Sequence, residues 1–337
     1  MREDSDAIFA YLQSLPPVSH QMDRNQLKFP FNIRPFVAGW NLLFFHKGNY
    51  TPDSAQSAEW NRGAYLVQGL GHCETCHTPR NSLGGAESDK PFQGGRFGDW
   101  FAPDITPNTR TGISSWSREQ FIEFLRSGRN VHGDAAGEMA EAVTYSTSHL
   151  SDDDLSAIAL YLKSVPASPD EAAVAQDGQV MAHGEAIWQD ACAACHRADG
   201  SGVPGMFPPI KGSANAQQRD PTTVLHYILA GAQQMPTAKA PTPFSMPAFA
   251  WKLDDAQIAA VATYARNSWG NHAPAVGEKD VAQLRASLQA TEKATPVWPP
   301  VPAAGTLKQP NPVTKGVADT DSRDNGTPEA GRTAPSP

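Results

Sequence analysis

The chain has 337 residues, enough for two or three ordinary domains, and its 27 lysines and arginines against 35 aspartates and glutamates give a formal charge of −8. No cluster of basic residues appears, which argues against nucleic acid as a partner, because phosphate binding needs grouped Lys and Arg. Four cysteines are too few for a disulfide scaffold in a chain this long, and no apolar run reaches the roughly eighteen residues of a membrane span.

Residues 1–17 read as an amphipathic helix and lack the basic start, apolar core and small-residue cleavage site of a signal peptide. Within the connector that follows, Phe36–Phe45 is the densest apolar stretch and reads as a buried connector or docking segment. Ser57–Leu70 is a helix that leads into Cys73-Glu74-Thr75-Cys76-His77. Ser117 to Gln120 forms a capping box, followed by Phe121, Phe124 and Leu125 on one helical face and a stop at Gly128. Gln179–Asp190 is a second helix of the first kind and leads into Cys192-Ala193-Ala194-Cys195-His196. Asp220-Pro221 starts another middle helix, with Val224, Leu225, Ile228 and Leu229 as its apolar stripe and Gly231 at its end. Val281–Ala290 predicts a short helix, and the Pro-, Gly- and Thr-rich stretch after it predicts disorder.

An internal repeat sets the organisation. Ser5–Pro16 recurs as Leu155–Pro166, and a looser copy runs from Ile258 through Tyr264 to Trp269, with Tyr11, Tyr161 and Tyr264 at the same place. The chain thus holds three versions of one domain-ending helix, of which the first has nothing in front of it. The expectation is an all-α protein: a remnant helix of a missing domain over 1–20, a connector over 21–53, a domain over 54–166, a linker over 167–178, a second domain over 179–270, and a mostly disordered tail over 271–337. Aligned on the repeat, Met1 falls opposite Ser151, the N-cap of the intact copy, so the chain reads as an N-terminally truncated part of a three-domain parent; a genuine N-terminal arm is the other reading.

C-x-x-C-H is the attachment signature of c-type haem. Two thiols three residues apart reach the vinyl groups on one porphyrin edge, and the adjacent imidazole faces the iron. Cys73 and Cys76 with axial His77 make one site, and Cys192 and Cys195 with axial His196 the other, for two covalently bound haems. A shared zinc is excluded by separation, since paired zinc motifs lie within about twenty residues of each other. A thioredoxin-like pair needs a βαβ setting that these helical surroundings do not offer. The sixth ligand is expected from a loop before the last helix of each domain. Met139 fits in the first domain, with His132 as the alternative; Met246, beside Pro247, fits in the second, ahead of Met235 and Met206. The axial histidines also need an acceptor for the other ring nitrogen. Phe207-Pro208-Pro209 offers one in the second domain, and the first shows no equally clear candidate.

Further stretches carry a resemblance: Asn32-Ile33-Arg34-Pro35 with Gly39-Trp40-Asn41-Leu42-Leu43-Phe44, Glu59 to Leu66, Ala102 to Pro107, Leu150 to Leu155, and Phe244 to Phe249. Over roughly residues 1–290 the sequence resembles the tri-haem cytochrome c subunits of membrane-bound bacterial alcohol, gluconate and sorbitol dehydrogenases. The resemblance implies two tandem class I cytochrome c-like domains, with His77 and His196 as proximal and Met139 and Met246 as distal ligands. It also implies a dehydrogenase catalytic subunit with PQQ or flavin as electron donor, and ubiquinone as acceptor. The place implied is peripheral to the cytoplasmic membrane, on its periplasmic face. The sequence departs from that family in lacking the first haem domain and a signal peptide. The leading reading is an electron-transfer subunit without substrate chemistry of its own, since nothing resembles a PQQ or flavin site. A di-haem peroxidase-like enzyme and a non-functional truncated remnant are the alternatives.

Overall fold

The computed structural model describes residues 2–19, 27, 29–45, 48–170 and 172–294. The expected tail over 295–337 and His20 lie outside the described residues. The three copies of the repeat are helices of equal length, α1 (Arg2–Ser14), α7 (Asp152–Ser164) and α12 (Asp255–Asn267), each 13 residues long. Their environments differ. Ile158, Tyr161 and Leu162 are buried in α7, whereas the corresponding Ile8, Tyr11 and Leu12 of α1 are exposed. Helix α1 reaches the first domain through Asp4, which accepts a hydrogen bond from Tyr65 Oη at 2.5 Å.

The apolar stretch of the connector is helix α2 (Arg34–Phe44), and of the two readings it is not a buried connector, since no residue of it is buried. Trp40 and Phe44 face the first domain, with the Trp40 indole N–H donating to Leu83 O at 2.9 Å and Phe44 lying over Gly85. Phe36 meets the Phe29 ring at 6.2 Å between centroids but stays 51% exposed, and Leu42 is 87% exposed.

In the first domain, Ser57 caps α3 (Ala58–Tyr65), which continues into one π-helical turn over Leu66–Leu70 and then the short helix α4 (Glu74–His77). A hairpin of β1 (Gln93–Phe97) and β2 (Trp100–Asp104) follows, paired antiparallel with Gly95 opposite Ala102. Both hydrogen bonds of the capping box at Ser117 form at the start of α5 (Arg118–Ser127), and Gly128 ends it at φ 80°. The two-residue strands β3 (Arg129–Asn130) and β4 (Gly133–Asp134) then make a tight hairpin before α6 (Glu138–Tyr145). Ser151 caps α7 by accepting from Asp154 N.

The second domain repeats the plan: α8 (Gly178–Ala191) capped by Asp177, α9 (Ala193–His196), α10 (Ala214–Gln217) and α11 (Thr222–Ala230). Helix α11 begins one residue later than the Asp-Pro signal suggests: Pro221 occupies the cap position, while the Asp220 carboxylate accepts from Thr222 N at 2.9 Å. Gly231 ends α11, and β5 (Ala232–Gln233) pairs with β6 (Ser245–Met246) ahead of α12. The helix expected over 281–290 is longer, α13 (Glu278–Ala294), and it buries Val281 and Leu284 in the second domain's core. Chain beyond residue 270 therefore belongs to that domain's packing.

Each domain is closed by a crossing of its first and last helices, α3 on α7 and α8 on α12, with a glycine at the closest approach. A Cβ built on Gly63 meets Ala157 O at 2.0 Å, and one on Gly184 meets Ala260 O at 2.3 Å. The two domains also interlock. Strand β2 exchanges hydrogen bonds with Thr223, Arg96 pairs with Asp220 at 2.6 Å, and Trp100 stacks on His226 at 3.6 Å between ring centroids.

Candidate functional site

In both domains the C-x-x-C-H segment is a single turn that leaves the end of the first helix. His77 N donates to Cys73 O at 3.0 Å, and His196 N donates to Cys192 O at 3.0 Å, so each histidine is folded back over the first cysteine of its motif. One ring nitrogen is then fixed. His77 Nδ1 lies 2.7 Å from Pro103 O, and His196 Nδ1 lies 3.0 Å from Pro208 O. A carbonyl can only accept, so Nδ1 carries the proton in both rings and Nε2 keeps its lone pair. Burial pushes both histidines below the usual pKa, which the carbonyl bonds oppose, and keeps the imidazoles in the neutral form that binds a metal. Burial likewise raises the Cys73 and Cys192 thiols to about 11, so both stay protonated at neutral pH.

Pro208 is in the turn that the sequence suggested. Its counterpart Pro103, in strand β2, was missed. The signal was there in Ala102-Pro103-Asp104, a proline whose carbonyl is free because the hairpin pairs only one edge of the strand.

The second domain contains an apolar cavity of about 180 Å³ with Cys192, Cys195, His196 and Met246 in its wall, together with Trp188 and Phe244. Met206 also lines this cavity, whereas Met235 does not. Met235 instead packs with Met139 against Ala135, Ala140 and Val143 of the first domain. Met246 is held by β6, and Met139 sits in the first turn of α6, so neither is on the irregular loop the sequence suggests. Met139 and Cys73 pack against the same first-domain core. His132, the alternative ligand, has Nε2 at 2.9 Å from Gln120 Oε1, and its ring stacks on Trp116 at 5.2 Å.

A flat apolar group with an acidic edge fits the second cavity on independent grounds. The wall is mostly apolar, interrupted by polar side chains that include Asp134, Ser213, Asn215, Gln234, Ser245 and Arg266. Asn215 Oδ1 is buried without a hydrogen-bond partner, and Arg266 brings a positive charge. The unpartnered Asn215 oxygen is an acceptor and calls for a donor, whereas the Arg266 charge favours an acidic edge on a ligand here.

Crossed terminal helices over a C-x-x-C-H turn, occurring twice, define an all-α electron-transfer protein of the cytochrome c type. The chain belongs to the cytochrome c family: the family model, described as cytochrome c, matches residues 61–166 and 181–269, and the family carries covalently bound haem c. It is 37% identical over 305 residues to the gluconate 2-dehydrogenase cytochrome c subunit of Pantoea cypripedii, an alignment covering 84% of this chain and 69% of that one. It is 37% identical over 303 residues to the cytochrome c subunit of the quinone alcohol dehydrogenase of Gluconobacter oxydans, covering 84% and 63%. It is 34% identical over 321 residues to the fructose dehydrogenase cytochrome subunit of Gluconobacter japonicus, covering 84% and 64%. The chain thus spans about two thirds of the length of these relatives.

Proposed function

We propose that this chain is a di-haem electron-transfer subunit, with thioethers at Cys73 and Cys76 and at Cys192 and Cys195. The axial pairs are His77 with Met139 and His196 with Met246. The observation that carries the reading is the twin histidine geometry, Nδ1 on a proline carbonyl and Nε2 left for iron, at the end of each C-x-x-C-H turn. Bound haem supplies a one-electron carrier; the chain's residues hold it, orient it and exclude water. The proline carbonyls fix each imidazole plane and make its Nε2 a stronger donor. A methionine on the other side favours the reduced state and raises the potential.

The relatives' names support a dehydrogenase catalytic subunit as electron donor. We assign that donor a PQQ or flavin site acting on CH–OH groups, and ubiquinone as acceptor at the periplasmic face of the cytoplasmic membrane. Among the described residues no helix is long and apolar enough to cross a membrane. We assign it a peripheral association, through partner subunits or through the exposed apolar side chains of α2.

The test is the intact mass of the chain, expressed with an added signal peptide in a host that attaches haem. The expected result is two added haems, reduced to none in a Cys73→Ala/Cys76→Ala/Cys192→Ala/Cys195→Ala variant. A mass equal to that of the polypeptide alone would overturn the assignment.

A further inference from the structure

The second domain's cavity is not built by that domain alone. Gly133, Asp134, Ala135 and Ala136, from β4 and the segment after it in the first domain, line it beside Met246 and Phe244. Asp134 Oδ2 accepts from Gln234 Nε2 at 2.7 Å. The other end of the same amide, Gln234 Oε1, accepts from Phe244 N at 3.2 Å, and Gln234 N donates to Phe244 O at 3.0 Å. Phe244 lies two residues before Met246, in the segment that becomes β6. That strand is two residues long, paired only with Ala232 and Gln233, so few hydrogen bonds fix it. A hydrogen-bonded line therefore runs from a first-domain carboxylate through one glutamine to the strand that bears Met246.

The surroundings make this bond a strong one. Burial dominates at Asp134 and raises its carboxyl to about 6, against the opposing pull of the Gln234 bond and the Arg129 charge. Arg129 sits opposite it on β3, places its guanidinium 5.7 Å from the Phe244 ring and donates to Gly205 O at 3.3 Å. Tyr227 of α11, half-buried and pushed up in pKa by desolvation and by the Asp134 charge, stays neutral beside it. A carboxylate in such a place forms a charge-assisted bond to the amide, stronger than a neutral one, and leaves the amide unsatisfied when removed.

We propose that Asp134, acting across the domain boundary through Gln234, is a positioning residue for the Met246 strand, so that the first domain sets how firmly the second haem's methionine is held. This rests on the assignment of Met246 as an axial ligand. The experiment titrates the ferric two-haem protein with imidazole, which displaces axial methionine, and follows the axial-methionine methyl resonance of each haem by NMR. Asp134→Ala and Gln234→Ala are each expected to tighten imidazole binding at the second haem about tenfold, the equivalent of one lost charge-assisted hydrogen bond. The double variant does no more than either single one, because both break the same line. Asp134→Asn keeps an acceptor for Gln234 and stays within about threefold of the parent, on the scale of a neutral hydrogen bond. The first haem's affinity does not move. Wild-type imidazole affinity in Asp134→Ala and Gln234→Ala, with both haems present by mass, would overturn the proposal. Met246→Ala separates the two layers: if both methionine resonances survive it, the ligand assignment itself is wrong.

Discussion

Gly184→Val is expected to lower the stability of the second domain by about 3 kcal/mol or more and to reduce the yield of haem attached there. The reason is the helix crossing. A Cβ at Gly184 falls 2.3 Å from Ala260 O and 2.6 Å from Tyr264 Cβ, and the first of these neighbours is backbone that cannot rotate away. The crossing can accept a side chain only by moving α8 off α12. That would open a core in which Ile187, Trp188, Ile258 and Tyr264 are buried together. Gly63 meets the equivalent atoms of α7, Ala157 O at 2.0 Å and Tyr161 Cβ at 2.9 Å, so Gly63→Val carries the same penalty in the first domain. Alanine already decides the sign. In an open helix, Gly→Ala gains about 1 kcal/mol from propensity, and Gly39 in α2, with nothing within 4 Å, shows that gain or no change. At Gly63 and Gly184 the clash outweighs it. Denaturant midpoints of the three alanine variants, measured on haem-loaded protein, check this. A stabilised Gly184→Ala would show that the helices separate easily and that the crossing is not what holds the domain together.

Those two glycines show how far the sequence could be read. The repeat placed α7 and α12, the capping box placed α5, and Gly128 and Gly231 marked helix ends, because each signal is local and lies within one turn of the chain. The ligand candidates were legible for the same reason: four cysteines and two histidines fall in two five-residue motifs. An isolated glycine inside a helical pattern is also a signal, of a close approach, but it does not say to what. The β1–β2 hairpin was not legible. Gln93-Gly94-Gly95-Arg96-Phe97 has little strand propensity and no apolar alternation, and its register is set by packing on α4 and α11. With it went Pro103 as the His77 partner. For helix α2 the apolar run left burial and docking open, and the described structure rules out burial: Trp40 and Phe44 meet the first domain and Phe36 meets Phe29, while Leu42 and Leu43 stay exposed. Nearness to the last helix ranks Met235 ahead of Met206, yet Met206 lines the second cavity with Met246 and Met235 does not. What no local pattern could show is that Met235 belongs to the first domain's surroundings, since that follows from how the domains meet.

Arg266→Leu is expected to cost about 3–5 kcal/mol, the scale for removing one member of a buried charged network. Arg266 is 0% exposed in α12, and among the described residues it forms no ion pair, although the Asp220 and Asp280 charges favour its charged form. Its guanidinium is instead shared among main-chain carbonyls. Nε donates to Ala216 O at 3.1 Å, Nη1 to Pro274 O at 2.7 Å, and Nη2 to Gln218 O and to Arg219 O. Burial lowers its pKa to about 10, which still leaves it charged at pH 7. Leucine fills part of the volume but abandons four carbonyl acceptors at once, two of them in fully buried hydrogen bonds. Lysine has a single nitrogen and cannot reach carbonyls set around a planar fork, so Arg266→Lys is expected to rescue little. The loss also spreads between domains. The carbonyls at 216, 218 and 219 belong to the segment whose side chains grip the first domain: Gln218 Nε2 donates to Thr111 O at 2.7 Å, and Arg110 Nη1 donates to Gln217 O at 2.8 Å. Freed from Arg266, residues 214–220 loosen, and with them Asn215 at the cavity edge. Limited proteolysis of haem-loaded Arg266→Leu is therefore expected to cut first in this segment, at conditions where the parent is intact, and urea unfolding to resolve into two transitions. A single transition at the parent midpoint would mean that Arg266 neither stabilises the second domain nor holds residues 214–220 against the first.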